Sequence, residues 1–477
     1  MATTLAAVSP LLIVLGLTAL LRRPAHLASL SGLAATAVLL LAVPAFATGP
    51  DGWGRASAAA ALITLSAAAV ILPGLYLNQQ LARRKVDRTL IEWTRSLPMS
   101  PPHKSALVVV ALAPALESLT GFGVSLLVTV PLLLAMTDRP TAVKQSLLSM
   151  NIMPWGTLGL ATIVGSSLAG QPATDLSLAT AAVSAGVFPL FGALSAAMVA
   201  QQGKRASAVA SGALLGGVFS TALLGLNATG VVELAGVGAG ITTTAVGLLL
   251  FSGRRGIPLP PWEAVRPYAL LFGLVALVRL LPAAGVPHDA LTVRSGDVSF
   301  DVLSSPGLAL LATVLILGRG AVDGHLAGQA GRRAWKPVTA LAGFTFMAQL
   351  MVHSSMVDTI GRALPVTTVL GFLFASVLLG MASGYLTGSG VGGNALMMPL
   401  QANVGGQLGQ PLLFSAVQNS AAGHTVFASM PIILLTLAIA GEGEKGEDTM
   451  LIRYSLAVTV GVYLVLAGGA LVLWSTG

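Results

Sequence analysis

The chain contains no cysteine, which excludes disulfides, thiolate metal sites and cysteine nucleophiles while leaving the compartment open. Charge is scarce as well. Of 477 residues only 9% are Asp, Glu, Lys or Arg, against 55% hydrophobic and a mean hydropathy of +0.86. A soluble domain carries roughly 25% charged residues, so a water-soluble fold is excluded and an all-α polytopic membrane protein is expected. Enzyme signatures are missing too: there is no His-Glu-x-x-His, no P-loop, no nucleotide-binding Gly motif after a strand and no carboxylate cluster suited to a metal. Neither an enzyme, a cofactor nor a metal is expected. The net charge of +8 lies in short Lys/Arg clusters between apolar runs, where it orients a chain in the bilayer; nucleic acid is not implied.

What the chain has in quantity is apolar runs of roughly 17–25 residues, the length of a bilayer span. They fall at about 5–21, 27–47, 56–77, 142–168, 175–200, 206–226, 231–252, 265–281, 303–318, 337–356, 412–440 and 451–474, giving about twelve transmembrane helices in one unit, 1–477. No Lys or Arg precedes the first run, and Arg22 and Arg23 follow it. That is no signal-peptide layout and reads as a first span with its amino terminus outside. With Arg22 and Arg23 inside, the other basic clusters also fall inside, among them Arg83, Arg84, Lys85 and Arg88, then Lys204 and Arg205, Arg254 and Arg255, and Arg332, Arg333 and Lys336, as the positive-inside rule requires. Segment 78–105 reads as an amphipathic helix on that surface, and 282–302 as the longest external loop.

Two further apolar segments, about 106–136 and 364–402, are broken at their centres by similar clusters: Thr120-Gly121-Phe122-Gly123-Val124-Ser125 and Thr387-Gly388-Ser389-Gly390-Val391-Gly392. Irregular backbone survives at membrane depth only when buried in protein or lining a cavity, and paired breaks in two halves of a membrane chain point to a transport site. Each segment is expected to be a re-entrant hairpin that returns to the side it entered from, the alternative being one full broken span, which hydropathy alone does not separate. Thr120 and Thr387 lie 267 residues apart, and each motif is followed by an interrupted helix with a central Asn, Asn151 or Asn419. Seven spans separate the hairpins, so the two repeats, 106–200 and 364–440, are expected to be inverted.

Few polar side chains sit in these runs. Glu117, just before the first tip, is the clear intramembrane carboxylate, and such groups are functional by default; it is a proton carrier or a member of the substrate site, or else a structural acceptor of hairpin amides. His424, beside Gly423, is a second candidate for proton coupling or equally a packed neutral residue. Glu233 reads as a solvated helix-end carboxylate, Asp358 and Arg362 as a surface i,i+4 pair, Arg279 as a snorkelling cation, and His353 as structural. Half-helices starting near Gly123 and Gly392 present amide N–H groups at their positive ends, ready for an anion. Gly121 and Gly388 permit close approach, and Thr120, Ser125, Asn151, Thr387, Ser389, Asn394 and Asn419 can bind a neighbouring hydroxyl. The bland alternative is that these small residues only tighten helix packing.

At these positions the chain resembles the lactate permease family. The residues that carry the resemblance are Leu116-Glu117 followed by Gly121-Phe122-Gly123, then Leu386-Thr387-Gly388-Ser389, Asn394-Ala395-Leu396, Leu400-Gln401 and Gln418-Asn419-Ser420-Ala421-Ala422-Gly423. The chain departs from the family where Asp and Ser/Thr usually follow Ser389, here Gly390, Val391, Gly392 and Gly393, and where Lys usually follows Gly423, here His424. Together these departures remove a charge pair and leave a less polar site. The resemblance implies a multi-pass permease of the plasma membrane, of the bacterial inner-membrane type, that moves L-lactate or glycolate with protons. A sodium-coupled organic anion transporter is the alternative, with a membrane-embedded enzyme or a passive channel behind it. The implied partners are a small organic anion, a proton or sodium ion, the lipid bilayer and, optionally, a second copy in a homodimer.

Overall fold

A computed structural model describes residues 1–121, 123–253, 259–280, 291–296 and 298–476. Phe122, Arg254, Arg255 and much of the external loop 282–302 lie outside the described residues. The chain is almost wholly helical, as its composition requires. Among the described residues eight helices are long and apolar enough to cross a membrane, or eleven if each of three bent pairs is one span, against about twelve expected. Two of the expected spans are not among the eleven, which include instead Val369–Thr387, expected as a hairpin arm. Pro306–Leu317 has only 12 residues, and Trp262–Leu280 carries Glu263, Arg266 and Arg279. Among the described residues the one departure from all-α is a small antiparallel ribbon, Thr292–Ser295 with Val298–Asp301, in which Val293 faces Phe300.

Both broken segments are hairpins. In the first, the rod begins at Pro101–Leu107, widens through one π turn at Val108–Leu112 and continues as Ala113–Thr120. It reverses through Gly121 (φ +67°) and Gly123 (φ +73°) into Leu126–Leu134. Positive φ is costly for any residue with a Cβ, and at Gly121 a Cβ would also lie 1.6 Å from Thr157 Oγ1. Val108 of the outgoing arm and Leu132 and Leu133 of the returning arm share one buried apolar cluster with Ala142, and Ala113–Thr120 touches Leu126–Leu134 across the turn. The second hairpin runs Val369–Thr387, turns at Gly388 (φ +65°), and returns as Gly390–Gln407. Its arms are laced by Gln401 Nε2 donating to the Ser376 carbonyl (3.0 Å). Its end reaches back to where it began, Asn403 donating to Asp358.

The first interrupted helix is as expected. Arg139–Leu148 and Met153–Ala169 meet at 57°, with Asn151 in the break and Thr157 and Leu158 held at positive φ. The second departs from expectation. Pro411–Thr425 is regular through Asn419, Gly423 and His424, and the irregularity comes later, in a 3-10 turn at Val426–Ala428 before Met430–Ala440. Gly423 marks a close approach, since a Cβ there would lie 2.5 Å from the Pro154 ring.

The same succession of elements occurs twice. A long helix (Pro50–Arg83, then Gly324–His353) ends at a left-handed residue (Lys85, φ +56°; Ser355, φ +58°). A short helix follows, apolar on one face (Val86–Ser96, then Met356–Ala363), then a hairpin, then an interrupted helix. The likeness therefore begins upstream of 106 and 364. The two long helices pack together, with the Thr64 and Thr345 hydroxyls 2.9 Å apart.

Candidate functional site

The hairpin tips converge on shared neighbours. A Cβ at Gly388 would lie 2.8 Å from Pro431, and one at Gly123 would lie 2.9 Å from Leu435 and 3.7 Å from Ile432. Both tips thus abut Met430–Ala440, at positions about one turn apart. On the other side Gly121 abuts Thr157, and a Cβ at Gly390 would lie 3.4 Å from Ala161, four residues further on. The two motifs read from the sequence are brought to one place, between the second halves of the two interrupted helices.

At the first tip a carboxylate is already seated. Glu117 is fully buried. Its Oε1 accepts the Gly123 amide at 2.9 Å, and its Oε2 accepts the Ser125 amide at 3.3 Å and the Ser125 hydroxyl at 2.7 Å. The side chain therefore spans the break and satisfies donors that the reversing backbone leaves without helical partners. These are the bonds of its structural role, and they engage amides that the sequence reading assigned to an anion. Thr120 donates to the Leu116 carbonyl (2.6 Å), within its own helix.

The second tip has no such carboxylate. The residue 267 positions after Glu117 is Gly384, where the backbone of Ala422 comes so close that a Cβ would lie 1.9 Å from its carbonyl oxygen. Ser389 caps the helix by accepting the Gly392 amide (3.3 Å), and Thr387 donates to the Ser383 and Ser389 carbonyls (2.7 and 2.9 Å). The amides of Gly390 and Val391, at the first helical positions, have no intrahelical acceptor.

Around the tips lies a buried polar layer that ties the two halves together. Asn394 Nδ2 donates to the Ala161 carbonyl (2.9 Å) and to Asn419 Oδ1 (2.7 Å). Asn419 Nδ2 donates to Thr162 Oγ1 (2.9 Å) and Thr180 Oγ1 (3.0 Å). Gln418 donates to Ser383 Oγ (3.0 Å) and the Gly393 carbonyl (3.1 Å), and accepts from Gln401 (2.6 Å). Asn151 donates to the Val109 and Leu148 carbonyls (3.0 and 2.9 Å), joining the first break to the outgoing arm of the first hairpin. Asn419 is thus engaged at both ends of its amide. Asn151 and Asn394 each keep a buried Oδ1 that makes no hydrogen bond within the described protein. His424 is fully buried, its ring edge-on to Phe188 with centroids 5.7 Å apart.

Three sequence readings are corrected. Glu233 and Arg279 are not separate boundary charges but one ion pair between neighbouring helices, with Glu233 only 4% exposed at its side chain. Asp358 accepts from Asn403, and the surface pair with Arg362 does not form. The helix of Asn419, expected to be interrupted, runs unbroken past His424. His353 is structural as expected, its Nδ1 2.9 Å from the Gln349 carbonyl oxygen. Sequence reasoning gave no role to Thr157, Thr162 and Thr180, because a Thr in an apolar helix carries no signal of which neighbour it meets. An apolar groove of about 560 Å³ between Pro50–Arg83 and Pro306–Leu317, lined by Leu65, Leu72, Leu308 and Leu311, includes no tip residue.

A protein-family model described as L-lactate permease matches residues 269–474, which contain the second hairpin and the helix of Asn419 but not the first hairpin. An L-lactate permease of Halalkalibacterium halodurans is 28% identical over 126 residues, 26% of this chain. That match spans only about a quarter (24%) of the relative's length. Among solved structures, the YdaH transporter of Alcanivorax borkumensis aligns over 85% of both chains with a TM-score of 0.42 and 16% identity. The resemblance to lactate permeases carried by the motifs is borne out, on the carboxyl-terminal part of the chain.

Proposed function

We propose that this multi-pass membrane protein is a secondary transporter that moves small 2-hydroxy monocarboxylates, such as L-lactate or glycolate, across the plasma membrane together with protons. The observation that carries the reading is the convergence of two hairpin tips, one holding a buried carboxylate and the other presenting free helix-start amides. The family match over residues 269–474 supports the substrate class.

The substrate binds between the tips, where the amides of Gly390 and Val391 at the second tip add a helix dipole that favours negative charge without an arginine. Gly388 and Gly390 let the backbone come close. The 2-hydroxyl donates to the buried Oδ1 of Asn394, with that of Asn151 as a second acceptor. A site built on unpaired acceptors discriminates against the analogue that lacks the hydroxyl. Glu117 carries the proton, so anion and proton cross without net charge. The two element series, each a hairpin followed by an interrupted helix, act as inverted repeats whose relative motion exposes the site to either side.

Purified protein in liposomes should accumulate labelled L-lactate when the lumen is alkaline and lose the accumulation on addition of a protonophore. Accumulation driven by a sodium gradient at equal pH would replace the proton with sodium. Steady conductance without accumulation would replace the transporter with a channel.

A further inference from the structure

We propose that the first tip is a carboxylate-binding site shared in turn by two occupants: the Glu117 side chain and the carboxylate of the transported anion. The inference rests on the transport reading above and assigns the event that couples proton to substrate.

That this tip binds a carboxylate is on the page, because a carboxylate is in it. Three donors, the Gly123 amide, the Ser125 amide and the Ser125 hydroxyl, converge on Glu117 at 2.7 to 3.3 Å in a fully buried setting. Such donors bind an ionised acceptor about twice as strongly as a neutral one. Two carboxylates cannot both sit there ionised, since like charges at contact repel strongly in a water-poor site. When one proton adds to Glu117, the group loses its negative charge and becomes a donor. Its hold on the three donors falls, and the side chain can leave them. The carboxylate of a small 2-hydroxy acid then takes the donors. Release of the proton reverses the exchange and expels the anion. One proton and one anion are held together, or neither is.

The asymmetry between the tips fits this assignment. The position matching Glu117 in the second half is Gly384, packed on the backbone of Ala422, so a second internal carboxylate has no room. One tip is gated by its own acid and the other is open. The charged groups on elements packed against the first hairpin are the Glu233–Arg279 pair, at the end near Ser118, Asp87, Arg88, Glu92 and Arg95 on Val86–Ser96, Arg139 and Lys144 on Arg139–Leu148, Arg205 on Arg205–Ala228, and Asp51, Arg55 and Arg83 on Pro50–Arg83; the imidazole of His424 lies near the backbone of Asn151.

The account is tested by anion exchange (counterflow) in proteoliposomes at a series of pH values. If only protonated Glu117 admits substrate, the apparent affinity of wild-type protein falls about tenfold for each pH unit on the alkaline limb. Glu117→Gln, always neutral, should keep counterflow, lose this dependence and fail to accumulate substrate under a proton gradient. Ser125→Ala, which keeps both amides and removes one donor from the ionised acid, should displace the limb toward higher pH. The inference is overturned if Glu117→Gln retains the tenfold dependence, if Glu117→Gln is folded by its unfolding profile yet exchanges nothing, or if Ser125→Ala leaves the limb in place. Wild-type protein that exchanges lactate with affinity independent of pH overturns this inference alone. Wild-type protein that exchanges no lactate overturns the transport reading itself.

Discussion

Asn419 offers a quantitative test of what holds the two halves in register. Replacing it with Ala deletes three bonds: the one accepted from Asn394 (2.7 Å) and those donated to Thr162 (2.9 Å) and Thr180 (3.0 Å). Polar contacts between membrane helices average about 0.6 kcal/mol each, so the direct loss is about 2 kcal/mol. Little is added for stranded partners. Thr162 still donates to the Pro154 carbonyl, Thr180 to that of Leu176, and Asn394 to that of Ala161. Reversible unfolding in mixed micelles, monitored by circular dichroism, reads the difference. A cycle with Asn394→Ala should give a coupling between about 0.5 and 1.7 kcal/mol, the range for residues sharing one such bond. If Asn419→Ala changes stability by less than about 0.5 kcal/mol and shows no coupling to Asn394, the polar layer does not tie the halves and the reasoning fails.

Other perturbations have defined outcomes. Arg279→Ala leaves Glu233 buried without its counter-charge and should cost about 3 kcal/mol, the low end for a broken buried pair because Arg279 is partly open to solvent; replacing both by Gln should restore much of it, read by the same unfolding assay. Gly384→Ala drives a methyl against the Ala422 carbonyl, where neighbouring backbone cannot yield, and should destabilise by about 1–3 kcal/mol or more; unchanged stability would show that the second hairpin does not pack as described. Asp138 caps Arg139–Leu148 by accepting the Thr141 amide at 3.1 Å, and the hydrogen bonds from Thr141 hold its carboxyl below the usual range. A native value below the unfolded one means that the cap stabilises at pH above the ordinary carboxylate range and is lost as pH falls through the depressed value. Asp138→Ala should therefore cost about 1 kcal/mol near neutral pH and nothing in strong acid, by unfolding at the two pH values.

Much of this architecture is legible in the residues. Gly, Ser and Thr clusters inside apolar runs are costly in lipid, so the hairpin tips stand out, and Pro154 with Gly156 marks the first interruption. Gly423 misleads because a glycine serves equally for a break and for close packing; only the approach of Pro154 tells them apart. The Glu233–Arg279 pair is invisible in sequence, as its members lie 46 positions apart and each suits a helix end when read alone. The helix Met356–Ala363 was hidden by its i,i+4 charges, which resemble a surface pair until Asn403 is placed beside Asp358. The strand ribbon at 292–301 is short and polar and carries no periodicity long enough to detect. Glu117 was found because it is alone in its run, but its partners follow only from the turn geometry that folds Gly123 and Ser125 back onto it.

The most direct test of the central claim, that solute binds between the two tips, uses the absence of native cysteine. Val124 and Val391 are half-buried, one at each tip. Single cysteines there should react with a small thiol reagent in membranes, and L-lactate should slow both reactions over the same concentration range. Protection at neither position, or protection instead at a cysteine placed in the peripheral groove at Leu308, would contradict the account.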